Sequence, residues 1–180
     1  MEGMSHDGDL SKELQSMSRL FVTTAFLSII TLLGFEANAG TRTLRVLSYN
    51  IKGLPDVITK TDSNRFRDIG RILAERRKAG DAPDIVLIQE AFIGRTQELL
   101  KESGYPYVAK GPNANDLNDK GRAQKTVYGA GLYILSEFPI VATKKVAYDL
   151  LTCAEADCGS NKGAMMVALE IPGLRKPLKV

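Results

Sequence analysis

The chain has 180 residues, 44% of them hydrophobic and 25% charged, with a formal net charge of +3. That composition excludes disordered, fibrous and collagen-like chains and suits one ordinary domain core. One histidine and two cysteines are too few for a structural zinc site, which wants four ligands.

The amino-terminal part reads as an export signal. Arg19 precedes an apolar stretch from Leu20 to Phe35 that runs into Ala37-Asn38-Ala39 before Gly40, the pattern of a positive region, an apolar region and a small-x-small cleavage site. Residues 1–39 are therefore expected to be an extension plus signal peptide, with Met4 or Met17 as alternative starts and a secreted or periplasmic product. An uncleaved anchor is the competing reading, although the uninterrupted apolar run is short of the roughly 20 residues a span needs. His6, the sole histidine, falls in this leader.

Beyond Gly40, 22 Lys and Arg stand against 16 Asp and Glu. The excess suits an anionic or phosphate-bearing substrate, lipid headgroup or nucleic acid, and equally an ordinary solubilising surface. Thr43 to Asn50 alternates as a half-buried strand does, and Gly53-Leu54-Pro55 breaks it. From Asn64 to Ala79 the residues Phe66, Ile69, Ile72 and Leu73 recur at helical spacing, with Asp62 or Ser63 placed to cap the start and Gly80 to end it. Arg76-Arg77-Lys78 is assigned to the polar face of that helix.

Ile85 to Ile88 is a continuous apolar run of the kind a central strand shows. Strand, helix and strand in this order favour a parallel pair. Gln97 to Ser103 forms a second helix, ending at Gly104, and Tyr105 to Ala109 leads back to a strand. Pro112 to Thr126 lacks apolar periodicity and reads as a long polar loop. Three strands are then expected, Gly131 to Leu135, Val141 to Asp149 and Ala164 to Ile171. Between the last two lie Cys153 and Cys158, expected to close a small disulfide loop if the chain is exported, or to remain free thiols.

Glu90 follows four apolar residues and Gln89 at the carboxyl end of the central strand, where open α/β sheets place ligand-binding groups. A carboxylate there is costly to bury unless paired or bound to a cation, and a hard ion such as Mg²⁺ takes such oxygen ligands together with substrate phosphates. Asn50 ends the strand that the crossover places beside it, and its amide can coordinate a metal or donate to a phosphoryl oxygen. Each alone is also explained as a strand end meeting water. Lys162, between Gly159 and Gly163, is a weaker substrate-binding candidate against a solvated lysine at a strand entrance, and Arg95 is a weaker one still. Tyr128, Tyr133 and Phe138 read as packing residues.

Taken in order, Leu-Ser-Tyr-Asn at 47 to 50, Ile-Gln-Glu at 88 to 90, Gly131 to Ser136 with Phe138-Pro139-Ile140, and Lys162-Gly163-Ala164 resemble the endonuclease/exonuclease/phosphatase superfamily. The long polar loop and the Ser-Asn-Lys-Gly segment most resemble its exported bacterial sphingomyelinase branch. The resemblance implies an α/β (α+β) chain, the amino-terminal part of a two-layer β-sandwich flanked by helices, with residues 40–180 as an incomplete domain. It implies Mg²⁺-dependent phosphodiester hydrolysis, with Glu90 on the catalytic metal and Asn50 beside it, touching metal or phosphate. The family's general base, a histidine in a later Ser-Asp-His motif, has no counterpart here. The expected product is thus a fragment, inactive alone, with no stable protein partner evident. An exported endonuclease of the same fold and a non-catalytic vestigial domain are the alternatives, the last disfavoured because half a sandwich leaves apolar faces and strand edges uncovered.

Overall fold

A computed structural model of the chain describes residues 43–180 apart from 61, 63, 150, 152 and 154–157. The leader expected over 1–39, the candidate cap Ser63 and the interior of the cysteine loop lie outside the described residues.

The first unit is the expected crossover. Strand β1 (Val46–Gly53), helix α1 (Arg65–Ala79) and strand β2 (Ile85–Ala91) follow one another, and β1 pairs parallel with β2 from Val46↔Ile85 onward. Both strands run past the ends read from the sequence, so that Asn50, paired with Gln89, and Glu90, at an irregularity of the register, lie inside β1 and β2 rather than at their last residues. Helix α1 ends as expected, with Gly80 left-handed at φ 75° and its N–H on the carbonyls of Arg76 and Arg77. At its start, Asp62 Oδ1 accepts the N–H of Asn64 at 2.9 Å.

The buried face of α1 differs from the expected one. Phe66 and Leu73 are buried, but Ile72 is 54% exposed and Gly70 takes the inner position instead. A Cβ on Gly70 would lie 2.8 Å from the carbonyl oxygen of Leu99 in α2 (Thr96–Ser103). The missing side chain is what lets the two helices touch.

Arg77 is likewise not merely solvated. Its guanidinium forms an ion pair with Glu137, donates to the Gly104 carbonyl at 2.5 Å and lies 5.0 Å over the Tyr105 ring. The Glu137 hydrogen bond raises the Arg77 pKa, while burial first and the Glu137 charge second push the Tyr105 phenol up to about 12.

Strands β3 (Tyr107–Lys110) and β4 (Tyr133–Ser136) complete a four-stranded sheet of order β1-β2-β4-β3. Strands β5 (Ile140–Ala147), β6 (Gly163–Leu169) and β7 (Leu178–Lys179) form a second, antiparallel sheet. Alternation along β2 divides the core. Val86 and Ile88 pack with Phe66, Leu73 and Leu99 on the helix side, whereas Ile85 and Leu87 pack with Ile134, Phe138, Val167 and Leu169 between the sheets. The architecture is therefore an α+β two-layer sandwich with its helices outside the first sheet, as the resemblance implies. Full burial of side chains such as Phe66 and Leu99 contributes about 1.5–3 kcal/mol each. The face of β1 bearing Val46, Ser48 and Asn50 stays exposed, with Val46 at 53%.

Candidate functional site

The carboxyl ends of β1 and β2 meet in a bulge. The register runs to Asn50↔Gln89 and resumes at Gly53↔Ala91, so β1 spends one more residue than β2 over the same span. On the two sides of that bulge stand Lys52 at φ 49° and Glu90 at φ 56°, the only non-glycine residues with positive φ among the described residues. Such conformations cost of order 1–3 kcal/mol each and persist where surrounding structure imposes them.

The conformation at Glu90 decides where its carboxylate goes. Strict alternation after Val86 and Ile88 would send residue 90 into the helix-side core. Instead Ala91 joins that core, and Glu90 lines a cleft at the strand end. Gly53 makes the arrangement possible, since a Cβ there would sit 2.7 Å from the Glu90 carbonyl oxygen and 3.0 Å from Thr96 Cγ2. The chain beyond is tied down by Ala91 N–H to the Gly131 carbonyl at 2.9 Å and Phe92 N–H to the Gly53 carbonyl at 3.2 Å.

The cleft has a volume of about 290 Å³ and is lined by Leu54, Pro55, Ile58, Phe92 and Tyr128 together with Glu90, Gly159, Ser160 and Lys162. Glu90 and Lys162, candidates 72 positions apart in the numbering, thus share one cleft. The Lys162 ammonium stands 5.1 Å over the Phe92 ring, and Tyr128 meets the same ring edge-on with centroids 6.4 Å apart. Tyr128 thus packs on Phe92, as a packing residue does, and the pair forms part of the cleft wall. Phe92, the residue that ends the apolar-Gln-Glu-Ala stretch, has no sequence signature of its own as a cleft residue.

Asn50 is exposed and lies one register step from Glu90 across the parallel pair, outside the lining of the cleft. Its Oδ1 accepts the N–H of Lys52 at 2.9 Å, which leaves one lone pair on the oxygen and both amide protons. Arg95 is occupied structurally, its Nη2 donating to both Asp56 oxygens at 2.5 and 2.6 Å and so holding the loop that carries Leu54, Pro55 and Ile58. Tyr133 and Phe138 are core residues, as expected. Cys153 and Cys158 form a disulfide with Cα atoms 5.2 Å apart, so the free-thiol alternative is set aside.

Among the described residues no three His, Cys, Asp or Glu converge in a metal-binding group. What the strand ends offer is one carboxylate and one amide oxygen. That donor set fits a hard ion that keeps several waters and takes the rest of its shell from substrate, as Mg²⁺ does, and it does not fit zinc. Farther along the same side as Lys162, Asp116 receives Lys145 Nζ at 2.6 Å and the Asn113 N–H at 2.9 Å. The lysine hydrogen bond, then the backbone one, holds the Asp116 carboxyl below the usual range.

No family model and no curated protein matches the chain. Solved structures do match it in fold. Sphingomyelinase C from Streptomyces griseocarneus superposes with a TM-score of 0.55 at 26% identity over 77% of this chain and 48% of that one. A beta toxin variant from Staphylococcus aureus, solved with bound magnesium ions, gives 0.57 at 21% identity over 77% and 48%. The chain thus spans about half the length of the structures it matches. The resemblance to the endonuclease/exonuclease/phosphatase superfamily and its sphingomyelinase branch holds at the level of fold. Among the described residues no helix is long and apolar enough to cross a membrane.

Proposed function

We propose that this chain carries the metal and phosphate side of an exported, Mg²⁺-dependent phosphodiester hydrolase of the sphingomyelinase type. In this reading Glu90 holds the ion, Asn50 stands beside it to contact metal or phosphate, and Lys162 approaches the phosphate from the opposite side of the cleft. The ion would polarise the phosphoryl oxygen and neutralise developing charge. The chain's own residues orient the diester between a carboxylate-bound cation and an ammonium, in a cleft whose apolar lining limits water.

The observation that carries the reading is the left-handed Glu90 at the bulge. A non-glycine residue held there has no packing reward of its own, because the buried position goes to Ala91. Strain of this kind is retained where it aims a functional group. The described residues contain no histidine, so the reading assigns the general base to a group outside them.

The test is hydrolysis by the product of the whole reading frame with Mg²⁺, on sphingomyelin vesicles and on plasmid DNA in parallel. Release of phosphocholine supports the lipid reading. Cleavage of DNA alone replaces it with the exported-endonuclease alternative, and a cooperatively folding protein with neither activity revives the vestigial one.

A further inference from the structure

The segment Gly159-Ser160-Asn161-Lys162-Gly163, singled out for its lysine, holds a second polar side chain that the proposed reaction leaves unused. Asn161 is 0% exposed, and a buried amide is stable only with its hydrogen bonds made. Its Nδ2 donates to the Asn113 carbonyl at 2.7 Å and to the Asp116 carbonyl at 2.9 Å. Its Oδ1 accepts from Gln124 Nε2 at 2.7 Å, and its backbone N–H donates to the Tyr128 carbonyl at 2.8 Å. One residue thereby fastens the long loop between β3 and β4 along most of its length.

The amide is suited to this task in a way no near neighbour is. Two carbonyls and one N–H face it, and Asn presents two donors and an acceptor; Asp would set oxygen against two carbonyls, and Leu would leave all three unpaired. Its flanks both face the cleft. Ser160 bridges to Tyr128, and Lys162 stands over Phe92. Gly163 then fixes the backbone, because a Cβ there would fall 2.1 Å from the Val146 carbonyl oxygen and 2.8 Å from Pro112 Cγ. None of the four bonds of Asn161 reaches β1 or β2.

We propose that Asn161 is a positioning residue for the substrate side of the cleft, fastening the 113–128 loop to the head of β6 so that Tyr128 and Lys162 stand across from Glu90. The proposal rests on the phosphodiesterase reading for its functional consequence, and on hydrogen bonding alone for the fastening itself. It separates two sets of effects: substrate affinity depends on Asn161, and metal affinity does not.

The experiment uses the product of the whole reading frame, with Asn161→Asp, Lys162→Met and the double variant. Amide exchange, kinetics on bis(p-nitrophenyl) phosphate with Mg²⁺, and Mg²⁺ calorimetry are the readouts. Asn161→Asp speeds exchange over 113–128 but not over β1 and β2. It raises KM about tenfold while kcat and Mg²⁺ affinity stay within about twofold, and it adds little in the Lys162→Met background. Gln124→Ala, which removes the bond to the Asn161 oxygen together with the Gln124 bonds to Tyr148 and Asn118, shows the same pattern and serves if Asn161→Asp does not fold. Unchanged exchange over 113–128, a fall in kcat and Mg²⁺ affinity at constant KM, or additivity with Lys162→Met would each overturn the proposal. If the wild-type protein hydrolyses no phosphodiester, the proposed function fails, and the exchange pattern alone then decides for or against the fastening.

Discussion

The two sides of the cleft are built by opposite means. The Glu90 side stands on parallel strands with Val86 fully buried and Ile88 2% exposed, and it stores backbone strain at Lys52 and Glu90. The Lys162 side stands on a long loop that has little apolar core and is held by Asn161, Asp116 and their partners. Hydrophobic burial tolerates a strained residue because the strands around it cannot relax. In the hydrogen-bonded loop the positive-φ residues are glycines, Gly121 and Gly131, and the loop can be shaped residue by residue. The Glu90 side should therefore respond to backbone changes, and the Lys162 side to loss of individual polar groups.

The largest expected effect lies at Glu90. Replacement by Ala in the whole gene product is expected to weaken Mg²⁺ activation by roughly a hundredfold or more, since even groups that only support metal ligands are worth 10–100-fold. Wild-type rate and metal affinity in that variant would remove Glu90 from the metal. Glu90→Gly adds a second reading of the same position. Glycine accepts φ 56° without strain, so this variant is expected to lose metal activation yet gain about 1 kcal/mol of stability. A destabilised Glu90→Gly protein would mean that the left-handed conformation is not strained in its surroundings.

Next in size is Gly53→Ala. The new methyl would sit 2.7 Å from the Glu90 carbonyl oxygen, and accommodating it costs roughly 1–3 kcal/mol by the usual penalty of overpacking. Thermal melts are expected to show that loss, together with weaker Mg²⁺ binding as the β2 backbone is pushed away. Unaltered Mg²⁺ binding would separate the bulge from the metal side altogether.

What could be read from residues alone follows the same division. The apolar run ending in Glu90, the crossover from β1 and the left-handed stops at Gly80 and Gly104 are local patterns, and local patterns are visible in sequence. The positive φ at Glu90 has no such signature, because it is imposed by the bulge that Gly53 permits. Asn161 was invisible for a different reason: its side-chain partners lie 37 to 48 positions away. In the sequence the loop and the Ser-Asn-Lys-Gly segment carry a family resemblance, but nothing in them pairs Asn161 with Asn113, Asp116 and Gln124. Arg77 falls on the polar face of its helix in the sequence, and its pairing with Glu137 is hidden there for the same reason, the two being 60 positions apart.

A smaller, pH-dependent effect is expected on the loop side. The Asp116 carboxyl is lowered by the hydrogen bond from Lys145 and then by the Asn113 N–H. Its contribution is therefore fully present above the unfolded carboxyl value of about 3.9 and is lost as pH falls through the lower folded value. Exchange protection over 113–128, taken relative to the intrinsic rate at each pH, is expected to fall below about pH 4, ahead of protection in β1 and β2. Asp116→Asn should already exchange faster near neutrality and show a flatter pH profile. If wild type and variant lose protection in parallel on acidification, the Lys145 pair does not hold the loop.

The smallest expected effect tests the helix face that periodicity misassigned. Ile72 recurs at helical spacing with Phe66 and Leu73, yet it is 54% exposed, and a cost within about 0.5 kcal/mol is expected for Ile72→Lys, as for other surface changes. Position 70 should behave in the opposite sense. Alanine is the better helix former by about 1 kcal/mol, but its Cβ at position 70 would lie 2.8 Å from the Leu99 carbonyl oxygen and also 2.8 Å from Glu102 Cβ. Both contacts belong to the facing helix and have little room to retreat, so Gly70→Ala is expected to destabilise despite its propensity gain. Melting curves for the two variants decide the matter together: a neutral Gly70→Ala beside a damaging Ile72→Lys would restore Ile72 to the buried face and place the α1–α2 contact elsewhere.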